Sequence, residues 1–134
     1  MTSSVEYLGN LRTTATHLAS KKTIITDAPL DNHGKGEAFS PTDLVATALA
    51  SCLITIIGIK ARDLAIDISG TKAEITKIMG TQPRRIIEIK IDVSFPTRFD
   101  EKTKKILEKA ALTCPIANSL HPDLNQNIRF IWPS

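Results

Sequence analysis

At 134 residues the chain has the length of one domain and can bury roughly two-thirds of its unfolded surface, so its core needs no disulfide or metal. Its 42% hydrophobic and 23% charged residues are those of an ordinary soluble globular protein. The net charge of +3 is scattered over short runs such as Lys21-Lys22 and Arg84-Arg85, with no basic stripe interleaved with aromatics, which argues against nucleic-acid binding.

Met1 to Glu6 show no basic start followed by an apolar run, so no signal peptide is expected and the expected location is cytoplasmic. Structural disulfides are rare there, so Cys52 and Cys114 are expected to be either inert core residues or reactive thiols. Val5 to Thr26 is rich in threonine and aliphatics with partial alternation, which fits two strands joined near Ala19-Ser20-Lys21. Asp27 to Phe39, with Pro29, Asp31, Asn32, Gly34 and Gly36, reads as a loop.

Ser40-Pro41-Thr42-Asp43 is a helix start: a capping serine, a proline suited to the first helical position, and an acid three residues after the cap. The helix is expected to run to about Arg62. It is apolar nearly all round and should be buried on most faces. Its longest apolar run, Leu44 to Ile59, is broken by Thr47, Ser51 and Thr55 and falls short of the ~20 residues that span a bilayer, so no membrane partner is expected.

From Leu64 the pattern turns to period two, with Leu64, Ile66 and Ile68 alternating with Ala65, Asp67 and Ser69. Gly80 to Pro83 reads as a turn, and Ile87, Ile89, Ile91 and Val93 mark a half-buried strand, the whole forming a hairpin or meander. Asp100 to Thr113 is an amphipathic helix that should break at Cys114 because Pro115 follows. Pro115 can open a short helix over Ile116 to Leu120, and Asn127 to Trp132 reads as a last strand. Segregated runs of strands and helices argue for a single α+β domain over residues 1–134 rather than a parallel βαβ series.

Taken alone, mid-helix Cys52, among Ala48, Leu49, Leu53 and Ile56, reads as a small core hydrophobe. Cys114 stands at a helix break, where free N–H groups can stabilise a thiolate, and is equally open to packing or reactivity. Neither cysteine has a close ligand spacing to His17, His33 or His121, so a metal fits poorly. Phosphate-loop and serine-hydrolase motifs are missing.

Two segments carry a family resemblance. Ser40 to Ala46 through Ala50-Ser51-Cys52 is similar to the first cysteine motif of the OsmC/Ohr proteins, and Ala110 to Leu120, with Cys114-Pro115, resembles the second. The chain looks closer to the OsmC-like branch. The resemblance implies an OsmC-like fold: antiparallel sheets, a long buried central helix and an intertwined homodimer. It also implies a peroxidase of oxidative-stress defence in which Cys52 attacks an organic hydroperoxide, Cys114 resolves it as a disulfide, and an external dithiol restores both, with no cofactor. An N-terminal arginine usually supports the attacking thiol, and Arg12 is the candidate, with His17 a weaker helper. The Ohr-type glutamate follows the proline directly, and here that position is Thr42; Glu37 or Asp43 could replace it. Leu49, Leu53 and Ile56 could form an apolar wall for a greasy peroxide. The alternative is a non-catalytic protein of the same fold that binds a small apolar or thiol-containing ligand.

Overall fold

A computed structural model describes residues 1–134, which divide into two compact units, 1–45 and 46–134. In the first, β1 (Ser3–Gly9), β2 (Arg12–His17) and β3 (Thr23–Asp27) form an antiparallel sheet in chain order. The sequence reading placed two strands here. The third arises because Gly9, Asn10 and Leu11 all take positive φ and turn the chain inside the threonine-rich run. Only glycine adopts that conformation freely, so Asn10-Leu11 is a weak sequence signal for a turn.

This sheet buries little. Val5, Tyr7, Ile24 and Ile25 remain exposed in a single copy of the chain. The loop after β3 folds back on itself, with the Gly34 N–H on the Pro29 carbonyl and the Gly36 N–H on that of Ala28. A Cβ at Gly34 would sit 1.7 Å from the Ala28 carbonyl oxygen, so only glycine fits there.

The second unit packs helices on one face of a sheet. The 23-residue α1 (Pro41–Asp63) begins in the first unit and supplies the core stripe Ala46, Leu49, Ala50, Leu53, Ile57 and Ala61. Ser40 and Asp43 close its start reciprocally, the Asp43 N–H on Ser40 Oγ at 3.1 Å and the Ser40 N–H on Asp43 Oδ2 at 3.0 Å. By length and composition α1 could cross a membrane, yet its buried stripe belongs to a compact core and is compatible with a soluble protein. In a single copy its burial is one-sided, because Val45, Ala48, Ser51, Thr55 and Ile59 lie exposed on another stripe.

Leu64 to Ser69, expected to continue as a strand, instead terminates the helix. Ala65 takes φ 56° and the Ile66 N–H reaches back to the Ala61 carbonyl, a left-handed cap that mimics alternation. Strand β4 (Lys72–Gly80) starts later and pairs antiparallel with β5 (Arg85–Ser94). Strand β6 (Asn125–Ile131) joins β5 in parallel, so this sheet is mixed within the α+β class. Between them lie α2 (Glu101–Ala111), capped by Asp100, and α3 (Pro115–Ser119). Ile89, Ile91 and Val93 of β5 and Leu107 of α2 are fully buried with the α1 stripe. Trp132 stacks on Phe95 at 3.7 Å and donates its indole N–H to Glu108, tying the last residues to α2.

Candidate functional site

The second unit brings Cys52 and Cys114 together as free thiols. Cys52 sits midway along α1, one residue off the fully buried Leu53, and is half-buried. Cys114 is fully buried and occupies the cap position of α3, where its Sγ accepts the Ala117 N–H at 3.4 Å. Pro115 produces this arrangement: it ends α2, supplies a pre-set first residue to α3 and leaves the following N–H groups facing the sulfur. Burial, then the hydrogen bond with Cys52, push the Cys114 thiol above its ordinary 9.0, while the Ala117 and Ile116 N–H groups pull it down.

The expected apolar wall is only partly correct. Leu49 and Leu53 are 0% exposed and closed into the core, against which Cys52 itself packs, so neither offers surface to open space. Ile56, one turn on from Cys52, does line open space. It shares with Ile59, Ile106, Ala110 and Thr113 a groove of about 600 Å³ between α1 and α2, with Lys60, Asp63 and Lys109 also lining it.

Arg12 lies in the first unit, and its partner is an acid that the sequence reading missed. Its Nε and Nη2 donate to the two oxygens of Asp27 at 2.6 and 2.8 Å, a bidentate pair. Asp27 is 1% exposed and also accepts the Glu37 N–H at 3.0 Å, so the folded loop after β3 closes over it. The Arg12 guanidinium is the main reason its carboxyl is held below its ordinary 3.8; burial opposes this, and the Glu37 N–H assists. The same pair keeps Arg12 more firmly protonated than usual. Register held the clue: folding β2 and β3 about residues 19 and 20 sets Arg12 directly opposite Asp27.

Of the acids expected to stand in for the missing glutamate, Glu37 is an outer neighbour, its carboxylate 3.9 Å from Arg12 and mostly exposed. Asp43 is occupied with the start of α1. Thr42 places its hydroxyl 3.2 Å from Ser40 Oγ. His17 is exposed and bonded to Ser20 Oγ at 2.7 Å, closing the turn between β2 and β3.

The family model of OsmC-like proteins matches residues 34–129. A crystal structure from Psychrobacter arcticus 273-4, described as an osmotic stress induced and detoxification response protein, is 60% identical, with a TM-score of 0.94 over 97% of this chain and 95% of that one. An OsmC like protein of Mycoplasma pneumoniae is 18% identical, with a TM-score of 0.81 over 98% and 96%. An organic hydroperoxide resistance protein of Legionella pneumophila is 15% identical, with a TM-score of 0.72 over 98% and 97%; these last two speak to the fold alone. No curated protein matches the chain.

Proposed function

The chain belongs to the OsmC-like protein family, and from that premise we propose that it is a cytoplasmic thiol peroxidase reducing organic hydroperoxides in oxidative-stress defence. The relatives fit a hydroperoxide-resistance or oxidative-stress role. The observation that carries the finer reading is the pairing of a half-buried Cys52 with a fully buried Cys114, both free. The Cys52 thiolate attacks one peroxide oxygen, the O–O bond breaks, the alcohol leaves and Cys52 becomes a sulfenic acid. The Cys114 thiol then attacks that sulfur, water leaves and a disulfide forms. An external dithiol returns both cysteines to thiols by exchange. The route requires no metal, haem or flavin.

Arg12 is the proposed cation that favours the thiolate, with Asp27 as the acid that orients it, in place of Glu37 or Asp43. The groove beside Ile56 would receive the apolar part of the peroxide. A second copy of the chain is the proposed cover for the exposed Val5, Tyr7 and Ile24, which share one face of the sheet, and for the open stripe of α1, since apolar faces left open in a single copy mark an interface. With a dithiol present, the protein should consume cumene hydroperoxide faster than hydrogen peroxide. Equal rates would count against the apolar preference. No consumption, together with slow alkylation of Cys52 at neutral pH, would favour the non-catalytic binding protein instead.

A further inference from the structure

The two sulfurs that would form the disulfide are not equivalent. Cys114 is 0% exposed, enclosed with Leu107 and Ala111 in the core, whereas Cys52 packs against the edge of that core and stays half-buried. Thiol–disulfide exchange depends on which sulfur can be approached and on how well the departing sulfur carries charge. A sulfur with no exposed surface offers no path to an attacking thiolate. The departing side is also built unevenly: the Ala117 N–H lies 3.4 Å from Cys114 Sγ, so charge released there meets a backbone donor at once.

Resting on the peroxidase reading above, we propose that the external dithiol attacks the Cys52 sulfur of the disulfide and that Cys114 is the leaving thiolate. One thiolate of the reductant bonds to Cys52 Sγ, the Cys52–Cys114 bond breaks, and the electron pair departs on Cys114 Sγ, which takes up a proton. The reductant's second thiolate then attacks its own sulfur in the mixed disulfide. The reductant leaves as an internal disulfide, oxidised by two electrons, and Cys52 is released as a thiol. The mixed disulfide therefore forms on α1 one helical turn from Ile56, which lines the groove between α1 and α2.

The test forms the disulfide with diamide, so that it does not depend on peroxide chemistry. The oxidised wild-type protein is exposed briefly to excess 2-mercaptoethanol, quenched in acid, alkylated with N-ethylmaleimide and mapped by peptide mass spectrometry. At least ten times more mercaptoethanol adduct on Cys52 than on Cys114, with Cys114 alkylated in the same molecules, is expected. Equal adducts, or an excess on Cys114, would overturn the proposal, as would a chain that diamide cannot convert to the internal disulfide. A protein that gives the Cys52 adduct after diamide yet does not react with cumene hydroperoxide would overturn the peroxidase reading alone.

Discussion

The two units hold themselves together by different physics. Residues 46–134 enclose a core of aliphatic side chains from α1, α2 and the central strand β5, with Leu49, Leu53, Ile57, Ile89, Ile91 and Leu107 all fully buried. Residues 1–45 bury no large aliphatic side chain; their enclosed groups are polar, Thr26, Asp27 and Ser40, and their firmest link is the Arg12–Asp27 pair. Apolar burial is non-directional and tolerates exchange of similar volumes, whereas a bidentate ion pair fixes geometry. The unit with the thiols is built for stability. The unit with the cation holds one guanidinium in place and leaves Val5, Tyr7, Ile24 and Ile25 exposed in a single copy.

Several substitutions sharpen or break this contrast. Cys52→Ser should lower peroxide turnover by at least about a thousandfold, or ~4 kcal/mol of barrier, because a hydroxyl is a far poorer nucleophile than a thiolate. Its unfolding midpoint in urea should stay near that of the wild type. Leu107→Ala should cost about 2–5 kcal/mol by the same urea titration. Ile24→Ala, on the open sheet face that carries Val5 and Tyr7, should stay within about 0.5 kcal/mol for an isolated copy. A larger loss that grows on dilution would show that a second copy covers that face.

Arg12→Lys keeps the charge but loses the fork, and should reduce kcat/KM about tenfold, or ~1.4 kcal/mol. Turnover at the wild-type rate would remove Asp27 from the site. Asp43→Ala should cost about 1 kcal/mol of stability through the lost cap, with little change in kcat/KM. A collapse of activity would instead restore Asp43 as the acid of the site.

Acid should weaken both units, because Asp67, Asp92 and Asp100 of the second are depressed in the fold as Asp27 is in the first, whereas alkali should also weaken the second through Cys114. Asp27 is depressed in the fold, so its stabilisation is complete above its ordinary 3.8 and is lost as pH falls through the lower folded value. Cys114 is raised, so its contribution is complete below its ordinary 9.0 and is lost as pH rises through the higher folded value. The single tryptophan, Trp132, lies in the second unit and reports on it alone. Trp132 fluorescence should therefore change at both ends of the pH scale, and a protein whose fluorescence changes in acid but not in alkali would contradict the raised Cys114 thiol.

Local signals in the sequence reached most of the elements. Ser40-Pro41, the capping Asp100 and Cys114-Pro115 mark where α1, α2 and α3 begin, and the alternation around Ile89 marks β5. What failed was non-local or ambiguous. Leu64, Ile66 and Ile68 alternate like a strand, yet a left-handed Ala65 makes them the end of a helix. The direction of β6 depends on a partner remote in the chain. Asp27 looked like the first residue of a loop, and only the register of β2 on β3 reveals it as the partner of Arg12. Leu49 and Leu53 flank Cys52 on α1, yet tertiary packing closes both into the core and leaves Ile56 to line the groove.

The most direct test of the two-cysteine reading is mass spectrometry on wild-type protein and on Cys114→Ser after one equivalent of cumene hydroperoxide. The wild type should contain an intramolecular Cys52–Cys114 disulfide, and the variant a sulfenic acid on Cys52 that dimedone traps. Unmodified thiols in both proteins would contradict the peroxidase mechanism and leave the paired cysteines as part of a binding site.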